Sequence, residues 1–260
     1  MSMSSVLFTI ENNIAILTLN RPEKLNAFNR EMALLLQNRL DECASLHEVR
    51  AVYLRGAGKG FSAGQDLAEI VAPDGPGMDI ILSEHYNPII RRIRHLPKPV
   101  IAAVGGVAAG AGANIALCCD IVVASESASF IQAFSKIGLI PDSGGTYFLP
   151  RLIGWQKASA IAMLGDKVSA RDAERMGMLY KVYSDEEFPK ASMDLALTLA
   201  RMPTRALAFT KHALNESATN SFEAQLLLED SLQQKAAETK DYAEGVQAFL
   251  GKRPPVFRGE

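Results

Sequence analysis

Two short apolar and β-branched runs, Val6 to Ile10 and Ile14 to Leu19, flank Asn12-Asn13, a pair whose side chains tolerate the positive φ of a hairpin turn. The chain is therefore predicted to open on a β-hairpin. Asn29 is an N-cap residue type, and from there to about Leu46 the apolar positions Met32, Leu35, Leu36, Leu40 and Cys43 fall near helical spacing. Ala51 to Leu54 then reads as a strand running into Gly56, Gly58 and Gly60. Strand and helix alternate from here. A helical stretch near 79–95 contains Pro88 and is expected to kink there, ahead of strands at Val100 to Val104 and Ile121 to Ala124.

The remainder turns helical. Thr146 to Leu152 reads as part of a helix, Ser169-Ala170-Arg171-Asp172 resembles a capping box, and Gly177 is placed to end that helix in the left-handed conformation. Helical segments near 186–201, 204–216 and 221–250 follow, with Pro203 a breaker between the first two. The proline-rich tail, Arg253 to Glu260, is too short for a domain, and neither a fixed repeat nor a low-complexity linker divides the chain. The pattern predicts an α/β core over residues 1–200 and a helical extension over 201–260.

Composition narrows the class. With 260 residues, 48% of them apolar or aromatic and 22% charged, the chain can remove about 70–75% of its unfolded surface from water, which excludes disorder for the bulk of it. Twenty-seven Lys and Arg against twenty-nine Asp and Glu give a net charge of −2 without a basic block, so no nucleic-acid partner is expected. Cys43, Cys118 and Cys119 are odd in number and two are adjacent, which suits neither a disulfide framework nor a metal site. A reducing, cytoplasmic setting is expected, since Met1-Ser2-Met3-Ser4-Ser5 lacks the cationic and apolar regions of a signal peptide. Pro99 to Cys119 runs twenty-one residues without a charge, the length of a membrane span. Gly105, Gly106, Gly110, Gly112, many alanines and Asn114 make it too weakly apolar for that, and it reads as a buried strand, a glycine turn and a buried helix.

Several segments carry candidate chemistry. Gly60-Phe61-Ser62-Ala63-Gly64 fits the G-x-S-x-G elbow of serine hydrolases, with Asp142 and His212 following in triad order, although too few strands precede it for that fold. A serine esterase using Ser62 is thus the rival from another class. Gly56-Ala57-Gly58-Lys59-Gly60 fails as a phosphate loop, because the spacing needs glycine at Tyr53 and Ser or Thr at Gly60. Gly110-Ala111-Gly112 follows a strand and opens a helix, but Ile115 stands where a dinucleotide fingerprint needs its third glycine. Those glycines serve either close packing or a helix N-terminus open to a substrate atom. His47, His85, His95 and His212 show no metal-ligand spacing, and Arg91, Arg92 and Arg94 read as a solvated helix face. Asp142 follows the apolar run Leu139-Ile140-Pro141 and precedes a helix, so it is either a helix cap or a base. Partial burial would raise its proton affinity while a helix terminus would lower it.

Taken together, Gly60-Phe61-Ser62-Ala63-Gly64-Gln65-Asp66-Leu67, Val107-Ala108-Ala109-Gly110-Ala111-Gly112 and Gly138-Leu139-Ile140-Pro141-Asp142-Ser143-Gly144-Gly145-Thr146 resemble the enoyl-CoA hydratase/isomerase (crotonase) superfamily. Arg21-Pro22-Glu23-Lys24-Leu25-Asn26-Ala27 is similar to the family's loop after the opening strands, and the likeness spans essentially the whole chain. The resemblance implies a spiral of strand-strand-helix units, a C-terminal helical subdomain that forms trimers or hexamers, and an acyl-CoA substrate. Coenzyme A then arrives with the substrate, and no metal or separate cofactor is implied. It also implies an oxyanion hole of two main-chain N–H groups, those of Ala63 and Ala111, which replaces the serine-nucleophile reading of that segment.

Further implied contacts are Ser62, Gly64, Gln65, Asp66, Leu67 and Gly110 along the substrate, Lys24 toward CoA phosphate, and Phe134, with Tyr86, lining an acyl pocket; core packing is the alternative for the two aromatics. At the positions of the two hydratase glutamates this chain has Asn114 and Phe134, neither of which exchanges a proton as a carboxylate does. The resemblance therefore implies isomerisation with Asp142 as the single base. A narrower likeness within the family rests on Tyr86-Asn87-Pro88-Ile89-Ile90-Arg91-Arg92, Leu96 to Ile101, Val107 to Ala113 and Ala133 to Asp142. It implies conversion of an aromatic-ring epoxide thioester to a seven-membered oxepin in bacterial phenylacetate breakdown, and shift of a 3,4 double bond to 2,3. A hydratase, a dehalogenase-like enzyme with Asp142 as nucleophile, and a non-catalytic CoA-binding protein remain the alternatives within the fold.

Overall fold

A computed structural model describes residues 4–260; Met1 to Met3, on which the signal-peptide expectation partly rests, lie outside the described residues. Strands β1 (Val6–Glu11) and β2 (Ile14–Leu19) form the expected antiparallel hairpin, with Asn12 at φ 51° and Asn13 at φ 64° supplying its turn. Every residue of β2 is buried, as suits a strand covered on both faces. It pairs in parallel with β3 (Ala51–Gly56). The chain continues through β4 (Gly60–Ser62), β5 (Val100–Val104), β6 (Val107–Ala109), β7 (Ile121–Ser125), β8 (Ser129–Ile131), β9 (Lys167–Ser169) and β10 (Lys181–Tyr183).

Among the described residues these strands form two sheets, one in the order β1-β2-β3-β5-β7-β10 and the other β4-β6-β8-β9. Each of the pairs β3 and β4, β5 and β6, β7 and β8 passes the chain from the larger sheet to the smaller. Helical segments carry it back after β4 and β6, and after β8 they lead first to β9 of the smaller sheet and then, through Ala170–Arg175, to β10 of the larger. This is the spiral of strand-strand-helix units that the resemblance implied. The uncharged stretch is buried as expected, with β6 and the helix Ala111–Leu117 following β5, and among the described residues no helix is long and apolar enough to cross a membrane.

One apolar cluster lies between the sheets and the helices Arg30–Ser45 and Asn87–His95. A second, including Ile16, Tyr53, Ile101 and Val123, is covered by Ala196 and Ala200 of the helix Phe188–Arg201. There the Tyr53 hydroxyl lies 2.8 Å from Ser192 Oγ, which satisfies both polar groups inside the interface.

The helical stretch around Pro88 is continuous from Met78 to His95, and its irregularity is a π-helical turn, Ile81–Tyr86, directly before the proline. Proline has no N–H to donate, and the carbonyl four residues before it, Glu84, accepts from Gln37 Nε2 at 2.7 Å instead. One local expectation is corrected. The segment 221–250 is two helices, Phe222–Ala237 and Lys240–Leu250, because Thr239 Oγ1 caps the second by accepting from the Tyr242 amide at 3.0 Å. Ser169 and Gly177 close the two ends of the Ala170–Arg175 helix as predicted.

The helix Thr204–Glu216 is anchored to the core by buried Lys211. Its Nζ donates to the Ile93 and Lys98 carbonyls and lies 2.7 Å from Asp120 Oδ2. Asp120 balances the buried lysine charge and also pairs with Arg94.

Candidate active site

The strand β4 ends at Ser62, and the chain then turns through Ala63 and Gly64 before Asp66 caps the short helix Leu67–Ile70, its Oδ1 accepting from the Ala68 amide at 3.2 Å. Gly64 has φ 88°, and a Cβ on it would lie 2.9 Å from the Ala109 carbonyl and 3.3 Å from the Ala111 nitrogen. Only glycine lets these two segments approach so closely. The Ala111 N–H opens the helix Ala111–Leu117 and donates to no protein acceptor among the described residues. At a helix N-terminus such a group favours a negatively charged ligand oxygen.

Ala63 stands differently from the expectation. Its N–H donates to the Leu25 carbonyl at 2.9 Å, so a ligand oxygen reaches it only as a second acceptor or after that loop shifts. The loop is held firmly. Arg21 bridges to Asp66 at 2.8 Å, Asn26 Nδ2 donates to the Ala57 and Gly60 carbonyls, and Leu25 and Asn26 are both left-handed. Asp66 is thus tied into the loop rather than free for a ligand; burial would raise its carboxyl, but the bonds from Arg21 and the Ala68 amide outweigh that and hold it below the usual range. Lys24 and Leu67 are exposed, and Lys24 carries no ion pair among the described residues.

The esterase reading fails on geometry. Ser62 is fully buried; its hydroxyl donates to the Asn26 carbonyl at 2.8 Å, and its oxygen accepts from the Gly64 amide. His212 lines a separate groove beside Arg94, His95 and Asn215, and among the described residues no base is bonded to the Ser62 hydroxyl.

Asp142 does not cap the helix that follows it. The helix Gly145–Ile153 is capped by Gly144, whereas the Asp142 carboxylate accepts from the Ser143 hydroxyl at 2.9 Å and from no helix amide among the described residues. Burial pushes the Asp142 carboxyl up to about 6, against the opposing effect of the Ser143 bond. That value suits proton transfer near neutral pH.

The main chain of Asp142 is held from two sides. Its carbonyl accepts from the Gly145 amide and from Asn114 Nδ2, both at 2.8 Å. Asn114, on the same helix as Ala111, also accepts from Gln132 Nε2 at 2.8 Å. Gly145 makes room for this amide, since a Cβ there would lie 2.3 Å from Asn114 Nδ2. Phe134 is buried with its ring beside Gly110, 3.8 Å from where a Cβ on that residue would stand. Tyr86 is buried at the end of the π-helical turn, stacks edge-on with Phe28, and donates to Gln65 Oε1 at 2.7 Å. Burial raises its hydroxyl well above the ordinary value, and the neighbouring Asp142 and Glu69 add to this, so it stays a neutral donor.

Gln65, Tyr86, Asn114, Phe134, Gly110, Ala111 and Asp142 therefore share one region. Gln132 and Ser143 were missed. Their signals were a polar residue directly after an apolar strand and a hydroxyl adjacent to the candidate base.

A family model described as enoyl-CoA hydratase/isomerase matches residues 9–260. The protein named 1,2-epoxyphenylacetyl-CoA isomerase from Escherichia coli (strain K12) is 48% identical over 261 residues, covering 99% of this chain and 100% of that one. The Rhodobacter capsulatus protein named "Probable enoyl-CoA hydratase" is 43% identical, with both chains covered in full. In three dimensions the enoyl-CoA hydratase of Bacillus anthracis superposes with a TM-score of 0.92 at 31% identity, over 98% of this chain and 100% of its own.

Proposed function

The chain belongs to the enoyl-CoA hydratase/isomerase family, and from that premise we propose that it is an isomerase that moves double bonds within acyl-CoA thioesters. Coenzyme A enters as part of the substrate, and neither a metal nor a separate cofactor takes part. The finer reading is conversion of ring 1,2-epoxyphenylacetyl-CoA to oxepin-CoA in phenylacetate catabolism, with shift of a 3,4 double bond to 2,3 in an enoyl-CoA as a second reaction. Identity of 48% along the whole chain to a relative named for the first of these supports it.

The observation that carries the reading is the half-buried Asp142 carboxyl, raised to about 6, beside an Asn114 whose amide is engaged on both sides. Above that pH Asp142 is ionised and can remove a proton from one carbon of the acyl chain and return it at another. The negative charge that forms spreads onto the thioester oxygen, which the Ala111 N–H receives at the positive end of its helix, with the Ala63 N–H as a donor shared with Leu25. For the epoxide, the same withdrawal of charge into the thioester accompanies ring opening. In this reading Gly64, Gly110 and Gln65 adjoin the thioester, Ser62 supports that turn from beneath, Phe134 and Tyr86 take the acyl side, and Leu67 and Lys24 the nucleotide side.

Hydration is the second reading, favoured by the name of the 43% identical relative. It lacks the carboxylate pair, since Asn114 and Phe134 cannot activate water by proton transfer. Purified protein is incubated with the epoxide thioester and with 3-enoyl and 2-enoyl thioesters, and products are followed by mass and ultraviolet spectrum. Isomerisation leaves mass unchanged, whereas gain of one water, or no turnover of any of them, overturns the proposal.

Association through residues 201–260 into trimers or hexamers belongs to the same reading. Phe222, Leu227, Phe249 and Leu250 on the C-terminal helices are at least 72% exposed, more apolar surface than a solitary chain usually shows. Light scattering tests it. The buried free thiols of Cys43, Cys118 and Cys119 fit a reducing, cytoplasmic setting.

A further inference from the structure

We propose that Ser143 is the positioning residue of this site: its left-handed backbone and buried hydroxyl lock Asp142 Oδ1, so that Oδ2 is the oxygen presented to the substrate. The inference rests on reading Asp142 as the base. Ser143 has φ 51°, a conformation that costs a side-chain-bearing residue and costs glycine nothing, and Gly144 beside it is left-handed as well. Serine stands at the first of these two positions although glycine would ease the turn. The hydroxyl is out of water, with Ser143 only 2% exposed, and among the described residues its one partner is Asp142 Oδ1 at 2.9 Å.

The carbonyl of Asp142 is separately fixed by the Gly145 amide and Asn114 Nδ2, so backbone and carboxylate are held by different groups. No other side chain among the described residues bonds the Asp142 carboxylate, and its own main-chain amide adds to the Ser143 bond in favouring the ionised form. A carboxylate anchored through one oxygen cannot rotate freely, and its remaining lone pairs point in a fixed direction. The titratable group facing Asp142 from the packed helix is Tyr86, a neutral phenol with Glu69 beyond it; neither replaces the Ser143 bond. Because a hydrogen bond to the ionised form favours that form, Ser143 also opposes the rise that burial imposes on Asp142.

Ser143→Gly and Ser143→Ala separate positioning from mere turn formation, because both delete the hydroxyl while only alanine keeps the backbone strain. Measurements are the pH dependence of kcat and KM on an isomerised thioester, titration of the 13C-labelled Asp142 carboxyl by NMR, and thermal unfolding. Both variants are expected to lose about tenfold in kcat with little change in KM. Their acidic limb and the NMR titration should move up by about one pH unit. The glycine variant should be at least as stable as the wild type and the alanine variant less so. Rates that fall only in step with stability, or a glycine variant with wild-type kcat and titration, overturn the inference. An Asp142→Asn control that keeps full turnover removes the base reading and this inference together, whereas its inactivation beside a fully active Ser143→Gly removes this inference alone.

Discussion

Asn114 Nδ2 donates to the main-chain carbonyl of Asp142 at 2.8 Å, which joins the helix that carries the free Ala111 amide to the turn that carries the candidate base. Asn114 thus acts as a strut between the two halves of the site. Asn114→Leu keeps the branched shape, though not the volume, and deletes both side-chain hydrogen bonds. We expect kcat to fall at least about tenfold and stability by about 2 kcal/mol, because Gln132 Nε2 loses its buried acceptor. Steady-state kinetics and urea unfolding check this; unchanged kcat would show that the strut is dispensable.

The ionisation of Asp142 sets opposite demands on activity and stability. As a base it must be deprotonated, so kcat should fall about tenfold per pH unit below a midpoint near 6. Asp142→Asn should lower kcat by at least about 10²-fold while leaving acyl-CoA binding nearly unchanged.

For the fold the sign reverses. The folded-state carboxyl lies above its ordinary value of 3.8, so its contribution is fully favourable below that value and is lost as pH rises through about 6. Asp142→Asn should therefore be more stable than the wild type at pH 8, by about 2 kcal/mol, and nearly equal to it at pH 3. Thermal unfolding at the two pH values decides it.

Ser62→Ala should leave isomerisation within a few-fold of the wild type, since only the neighbouring main chain faces the cleft. A stability loss of about 1–2 kcal/mol is expected, because the Asn26 carbonyl loses a buried donor and the Gly64 amide an acceptor. Complete inactivation of a folded variant would restore the nucleophile reading.

Gly64→Ala introduces a Cβ 2.9 Å from the Ala109 carbonyl at a residue with φ 88°. Separation of the two strand ends should displace the Ala111 amide, with a loss of at least about 10²-fold in kcat/KM, the scale of a lost oxyanion donor. Kinetics on a folded sample, verified by circular dichroism, test this.

The hairpin around Asn12-Asn13 and the helix from Asn29 were legible because turn and cap chemistry are local and the flanking runs are long enough to show their period. The strands β4, β6, β8 and β9 span three residues each, too few for alternation to register, so the second sheet was visible only through the family resemblance. At the site, residue types marked Asp142 as either cap or base, and what separates those readings is long-range burial. The Leu25 carbonyl on the Ala63 amide joins residues far apart in sequence, and the left-handed Ser143 departs from what serine prefers. Neither is written in a local pattern.

The Ala111 amide belongs to the main chain, and a main-chain donor is indifferent to the side chain it hangs beside. Side chains around it, such as Asn114 and Phe134, can therefore change without dismantling the anion-receiving end of the helix. A scaffold so arranged acquires a new reaction by moving one acid, which makes the identity and placement of that acid a better guide to chemistry than overall likeness.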